Sequence, residues 1–381
     1  MFYNLRCKSH FINSFKSAVL FEVFVLLLKL LNQEYIMKNF ILSVVTFTLT
    51  LTTSSAQLLG GIENILLTST EDARILAEGY TAPIGKTLTY ALNSGWATSA
   101  KTHKKLGFGL TIGAAVPYVP DADLVFTPTG LTSLNVPSGS LPTVFGEGGD
   151  QILNFELDSD DIIGLGENQY TGELSFPGGL KDELPFGTLP APIIQASVGA
   201  VFDTDVLIRF VPTIDIEDSS FKLFGFGLKH NIMQYFGPLD KLPLNVSVLA
   251  AMSKASLEYD LTDSTFGGDS DNRNMTFEAD TFTLQALASL DFPVVSVFGA
   301  LGYNSGNSQF DVSGDYSIDY EIQGMPTISR MLKDPVSIES DTSGMMGLIG
   351  ARLNLLFMKI YTNYTIQEYN TLNFGISFNF R

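Results

Sequence analysis

The stretch Leu372-Asn373-Phe374-Gly375-Ile376-Ser377-Phe378-Asn379-Phe380-Arg381 decides the fold. Its apolar members, Leu372, Phe374, Ile376, Phe378 and Phe380, take every second position, and Asn373, Gly375, Ser377, Asn379 and Arg381 take the others. A period of two puts the two sets on opposite faces of a β-strand. The pattern recurs upstream. Phe282, Leu284, Ala286, Ala288, Leu290 and Phe292 oppose Thr283, Gln285, Ser289 and Asp291. Val206, Ile208, Phe210, Ile214 and Ile216 oppose Arg209, Thr213 and Asp215, and Ile194, Ala196, Val198 and Ala200 oppose Gln195, Ser197 and Gly199. A soluble sandwich would also alternate, its apolar faces meeting in a core and its polar faces in water. Here the second face is small and polar with occasional charge, which suits a wet barrel lumen with lipid outside.

Further strands are expected at 106–116, 221–232, 243–262, 293–304, 308–322, 344–356 and 357–367, with a marginal one at Ile152–Asp158. Single-chain bacterial barrels have even strand numbers. The expected fold is therefore all-β, a transmembrane antiparallel β-barrel of about 12–14 strands. Asp203-Thr204 and Gln367 to Asn370 read as short periplasmic turns. Pro117 to Pro190 and Asp263 to Asn274 read as long, acidic outer loops. Tyr118, Tyr235, Phe236, Tyr303, Tyr361 and Tyr364 are candidates for interfacial girdles.

Composition narrows the function classes. Among 381 residues, 22 Lys and Arg face 40 Asp and Glu, a net charge of −18. That argues against nucleic acid, whose phosphates need a basic surface. Cys7 is the only cysteine, and His10, His103 and His230 are the only histidines, too few soft ligands for a zinc or iron–sulfur site. No metal and no cofactor is expected. No uninterrupted apolar run reaches the ~20 residues of a membrane-spanning helix.

The N-terminus reads as an address. Met37-Lys38-Asn39, the apolar run from Phe40 to Leu51 and Ser54-Ser55-Ala56 have the parts of a secretory signal, with the cut after Ala56. Residues 1–36 then read as an upstream extension from a misassigned start, residues 37–56 as the signal peptide, and a two-helix membrane hairpin as the alternative. Residues 57–104 read as helical. Thr68-x-x-Glu71 and Ser69-x-x-Asp72 are capping patterns, and Ala73, Leu76, Ala77 and Tyr80 follow at helical spacing. Pro83 is expected to interrupt, leaving two short helices. They form either an ordinary packed subdomain or a plug inside the barrel of residues 105–381.

Candidate functional residues are sparse. Tyr90, Leu92 and Trp96 could line an apolar pocket at the plug. Arg209 and Arg352 lie on the faces read as luminal, with Asp215 or Asp291 as potential partners. They either close the lumen as ion pairs or bind the carboxylate of an amphipathic molecule. Asp158-Ser159-Asp160-Asp161 and Asp269-Ser270-Asp271-Asn272 read as solvated loop charge, lacking the spacing of a calcium loop. An enzyme is not expected, and no catalytic residue is assigned. His230-Asn231 is the nearest approach to a catalytic pair, and no Gly-x-Ser-x-Gly elbow accompanies it.

The alternating end, with Phe374, Ile376, Phe378 and the penultimate Phe380, resembles the C-terminal insertion signal of bacterial outer-membrane barrels, followed here by Arg381. A helical N-terminus, the Gly-rich Leu106-Gly107-Phe108-Gly109-Leu110 and a barrel in that order resemble the long-chain fatty-acid transporter superfamily. Asn93-Ser94-Gly95-Trp96, Ala100-Lys101-Thr102-His103-Lys104-Lys105-Leu106-Gly107-Phe108 and Phe224-Gly225-Phe226-Gly227-Leu228-Lys229-His230-Asn231 resemble an uncharacterised Bacteroidota family of such barrels. The resemblance implies the outer membrane, a hatch in the lumen, and passive transport of hydrophobic or amphipathic small molecules. The alternative is a structural or surface-interaction barrel with a blocked lumen. The partners implied are outer-membrane lipid and lipopolysaccharide, the barrel-assembly machinery and a hydrophobic small-molecule ligand.

Overall fold

A strand with one apolar and one polar face needs two different surroundings, and the chain supplies them by closing its sheet. The computed structural model describes residues 62–158, 169–216, 219–237, 243–261, 273–320 and 327–380, all within the unit Ser54–Arg381. The upstream extension and signal peptide expected at 1–36 and 37–56 lie outside the described residues. The described residues open with a 3-10 helix (Ile62–Leu67) and helix α1 (Thr70–Asn93), followed by β1 (Phe108–Pro117) and five short strands, β2 (Val125–Phe126), β3 (Leu134–Asn135), β4 (Leu141–Pro142), β5 (Gln151–Leu157) and β6 (Tyr170–Phe176). Next come β7 (Ala191–Gly199), β8 (Thr204–Ile216), β9 (Ser219–Asn231), β10 (Leu244–Asp260), β11 (Asn274–Asp291) and β12 (Val295–Ser313). A hairpin of β13 (Asp315–Tyr320) and β14 (Ile328–Lys333) precedes β15 (Val336–Leu355), β16 (Met358–Ile366) and β17 (Thr371–Phe380).

The barrel order is β1-β17-β16-β15-β12-β11-β10-β9-β8-β7, an antiparallel meander closed by β1 pairing with both β17 and β7. The wall thus has ten strands among the described residues, not the 12–14 expected from sequence. Two features account for the difference. The alternating runs at 293–304 and 308–322 are largely one long strand, β12, whose remainder is β13 in the side hairpin. The run at 152–158 forms β5, which pairs with β3 and β6 away from the wall. An up-and-down barrel also puts successive turns at opposite ends. The Asp203-Thr204 turn and the Gln367–Asn370 turn therefore do not share an end, contrary to the sequence reading.

Along every wall strand, alternate side chains face outward and are apolar over one continuous height. Leu372, Phe374, Ile376, Phe378 and Phe380 do so in β17, and Phe282, Leu284, Ala286, Ala288 and Leu290 in β11. No helix among the described residues is long and apolar enough to cross a membrane, whereas this belt has the length of the roughly 25 Å apolar band of membrane barrels. On one side it stops abruptly. Beyond Phe224, Met252, Phe282, Tyr303 and Met345, the next outward residues are Lys222, Lys254, Asp280, Ser305 and Ser343. Strands β10, β11, β12 and β15 continue past that boundary into a cap.

The cap has its own apolar core. Leu141, Val144, Phe145, Leu153, Phe155, Leu174 and Phe176 from segment 118–190 pack with Tyr316, Ile318 and Tyr320 of the hairpin and with Leu76, Ala77, Tyr80 and Ile84 of α1. Helix α1 starts there. Ser69 caps it by accepting from the Asp72 backbone N–H (3.1 Å). The fully buried Asp72 carboxylate accepts from the backbone and hydroxyl groups of Thr132 and Ser133, pinning helix to cap. Burial pushes the Tyr80 phenol above its ordinary value, and its hydroxyl donates to Gly178 (3.0 Å). Pro83 does not divide the helix, as sequence alone suggests; α1 is one element of 24 residues. An internal proline costs about 3 kcal/mol, and burial of both turns around it against cap and wall offsets that cost.

If the belt faces lipid, Leu301→Arg, at a position 71% exposed in its middle, should lower stability in bilayers by about 2–4 kcal/mol. Glu339→Arg, outward but above the belt, should be near neutral. Urea unfolding in vesicles measures both, and equal effects would contradict the assignment.

Candidate functional site

The other face of each wall strand looks into the lumen, and its polar residues need partners there. The N-terminal segment provides them. Helix α1 runs inward from the cap and ends at Asn93, where Gly95, at φ 71°, redirects the chain; a Cβ there would come within 2.4 Å of Ile193. Trp96 then lies over Gly225 and Gly227 of β9, where an added Cβ would meet its ring at 2.9 and 3.2 Å. The alternating Phe-Gly-Phe-Gly run of β9 thus serves both faces, phenylalanine to lipid and glycine to the indole.

Arg209 of β8 closes over this ring, its guanidinium carbon 4.1 Å from the ring centre. It donates to the carbonyls of Leu92 (3.0 Å) and Ser94 (3.1 Å) and to the Gln195 side-chain oxygen (3.2 Å). Gln195 in turn donates to the Trp96 carbonyl (3.1 Å). A cation 1% exposed is held here by the carbonyls that end a helix, the negative pole of its dipole. The expected partner Asp215 is not involved. A β-bulge between Val211 and Ile214 switches the strand's faces, so Ile214 packs inside and Asp215 is exposed.

Past Trp96 the segment is tied by two charge clusters. Arg352 of β15 pairs with Asp291 of β11 (2.9 Å), as the sequence allows. Asp291 also accepts from Ser99 (3.0 Å), Ser289 (2.6 Å) and Asn245 (3.0 Å), while Ser289 accepts from the Ala100 N–H (3.1 Å). Ser247 donates to the Ala100 carbonyl. In the second cluster the buried Asp205 of β8 accepts the His103 backbone N–H (2.8 Å), meets the His103 ring (3.1 Å) and pairs with Lys229 of β9 (3.1 Å). Lys229 also donates to the Lys101 carbonyl (2.8 Å). This cluster was not found from sequence. Its signal is the register: Asp205 and Lys229 sit directly opposite each other on neighbouring strands, both facing inward.

The remaining sequence candidates are spread through the lumen. Tyr90 is at the cap side, donating to Glu368 (2.8 Å) and stacked on Tyr369, whose phenol burial and Asp123 push above its ordinary value. Leu92 packs with Ala115, Ile193, Val211 and Leu223. Trp96 and Arg209 are in contact, and Arg352 belongs to the Asp291 cluster. Phe374, Ile376, Phe378 and Phe380 face outward on β17, with Phe380 stacked on Phe108 across the closing seam (4.8 Å). His103 meets Asp205 and Asn379, whereas His230 meets Thr204 and faces away from Asn231. No group of three or more His, Cys, Asp or Glu placed to hold a metal occurs among the described residues. The sequence Asp269-Ser270-Asp271-Asn272 and most of the Asp158 cluster lie outside them.

Residues 37–380 match a family of unknown function (DUF6588). This chain belongs to that family. No curated protein matches it. Among solved structures, the chain is similar to Ail, the attachment invasion locus protein of Yersinia pestis, at 10% identity over 73% of this chain and 100% of that one, with a TM-score of 0.25. It is also similar to the translocator domain of the autotransporter NalP from Neisseria meningitidis (11% identity, 80% and 97% covered, TM-score 0.28). A third similarity is to the toluene transporter TbuX of Ralstonia pickettii (9% identity, 76% and 93% covered, TM-score 0.16).

The two arginines should respond differently to removal. Arg352→Met strands the buried Asp291 carboxylate and should cost about 3–5 kcal/mol. Arg209→Met removes a buried cation that faces neutral carbonyls and the Trp96 ring and should cost about 1–3 kcal/mol. Urea unfolding in detergent gives both values, and the opposite order would contradict the charge assignments.

Proposed function

We propose that this protein is a closed barrel of the bacterial outer membrane, a structural and surface-interaction protein whose lumen is sealed by its own N-terminal segment and whose cap is presented outside. One observation carries the reading. Between Asn93 and His103 the segment bonds to inward or wall groups of β7, β8, β9, β10, β11, β12, β15 and β17. A lumen filled by paired charges and threaded by bonded chain supports a closed barrel over an open pore. Within the segment 57–104, the start of α1 joins the cap while its end and residues 94–104 act as the plug, and the barrel and the rest of the cap come from residues 105–381. Barrels of this class carry short turns on the periplasmic side and long loops outside, which orients the cap outward. The alternating β17, with Phe374, Ile376, Phe378 and Phe380, would be read by the barrel-assembly machinery. The acidic cap would meet a basic partner or lipopolysaccharide phosphates bridged by divalent cations.

A second reading is favoured by a separate observation. A cleft of about 510 Å³ opens on the lipid face, lined by Val295, Leu353, Ile360, Phe374 and Ile376, where the wall also carries Arg352 and Tyr361, whose side chains face inward. An amphipathic molecule could lay its apolar body there, with Arg352 on the other side of the wall as a group its head would meet only after entering the lumen. Passive transport of the kind implied by the long-chain fatty-acid transporter resemblance would then require the segment to move, with Tyr90, Leu92, Trp96 and Arg209 along the route it vacates.

A removable lock separates the readings. Ser99 and Ser289 hydroxyls are 3.2 Å apart, so Ser99→Cys/Ser289→Cys should form a disulfide fastening segment to wall. The closed-barrel reading predicts no ion conductance and no fatty-acid uptake in vesicles, with the disulfide formed or reduced. Uptake that appears on reduction and vanishes on oxidation would replace it with gated transport.

A further inference from the structure

The two ends of the belt are not alike. On the cap side it stops at charged and polar residues, as described above. At the other end the outward apolar columns run on through the turns: Phe108 is preceded by Leu106, Val198 is followed by Phe202 in the β7–β8 turn, and Leu353 and Leu355 by Leu356 in the β15–β16 turn. Leu106, Phe202 and Leu356 are 68%, 75% and 86% exposed. Each also has a left-handed backbone, with φ of 62°, 56° and 54°. Hairpin turns with positive φ favour glycine, asparagine or aspartate, and bulky side chains there are strained. Hydrogen bonds hold the turns, Leu106 N–H to the Gly199 carbonyl and Ala200 N–H to the Thr204 carbonyl among them, but the three apolar side chains stay exposed among the described residues.

These apolar side chains need a cover that the described residues do not supply, and charge indicates where it lies. Although the whole chain carries −18, the exposed side chains beside Leu106 are Lys101, Lys104 and Lys105, with no acidic residue between Ser99 and Phe108. Three lysines beside Leu106, against the single exposed Asp203 beside Phe202, give the apolar tips a net positive surround, the pattern of a surface that enters an anionic lipid interface.

We propose that the turn end is a lipid-binding surface for anionic phospholipid: Leu106, Phe202 and Leu356 enter the acyl region, and Lys101, Lys104 and Lys105 meet the phosphates. This rests on the membrane reading of the belt. It goes beyond that reading in assigning a lipid class to one leaflet and a purpose to the strained turn residues.

The test uses the full chain carrying Cys7→Ser, with single nitroxide labels at Leu106→Cys, Phe202→Cys, Leu356→Cys and, as the belt control, Leu301→Cys. In vesicles containing phosphatidylglycerol, all four labels should collide with oxygen in preference to a water-soluble nickel chelate. Spin-labelled phosphatidylglycerol should be immobilised at the protein in preference to phosphatidylcholine. Replacing the three lysines by glutamine should remove that preference, each lysine accounting for about fivefold of the attraction. Tip labels in water while Leu301 reads lipid would overturn the inference and leave the barrel in its membrane. A lipid preference unchanged by the lysine substitutions would also overturn it. A Leu301 label in water would sink the membrane reading itself.

Discussion

The Arg209 guanidinium, closed over the Trp96 ring and bonded to the carbonyls that end α1, fixes the course of the N-terminal segment through the barrel. A buried cation of this kind cannot be left unpaired, and the wall offers it no carboxylate because the β8 bulge turns Asp215 outward. A helix C-terminus supplies the missing negative pole. Helix and barrel are therefore interdependent. Without α1 the wall would enclose an uncompensated charge, and without Arg209 the helix would end on open carbonyls in a closed space.

The rest of the lumen follows the same logic at lower cost per contact. Small residues make room where the segment comes close, as Gly225 and Gly227 do for Trp96. Where polar chain must be held, the wall supplies Ser247, Ser289, Asp291, Arg352, Asp205 and Lys229. Outside, the demand is the reverse, and alternate positions are apolar until the strands leave the belt. One period of two thus serves lipid and lumen at once. The cap forms where both demands cease, with a core shared by α1, segment 118–190 and the β13–β14 hairpin.

The barrel itself was legible because that alternation is imposed by two solvents on one strand. Strand number was not. In β12 the outward residues change from Val297, Leu301 and Tyr303 to Ser305 and Asn307 as the strand leaves the belt, and a change of surroundings reads like an end of strand. Pro83 reads as a breaker because local propensity knows nothing of the cap and wall that bury the helix around it. The Arg352–Asp291 pair could be anticipated, since both residues sit on inward faces. Arg209 could not be placed, since its partners are backbone carbonyls and a bulge moved its nearest acid. The Asp205, Lys229 and His103 cluster needed the β8–β9 register, which no composition or motif supplies.

Central to this account is that residues 94–105 are a fixed part of the barrel and not a loose strand of chain in a pore. Hydrogen exchange of the full chain in lipid nanodiscs, resolved to the amides of Ala100, Lys101 and His103, tests it most directly. These N–H groups donate to Ser289, Ser99 and Asp205, so the account predicts protection comparable to that of the wall strands β10 and β11. Exchange at the rate of an unprotected loop would show that the segment is not held, and the closed lumen would have to be abandoned.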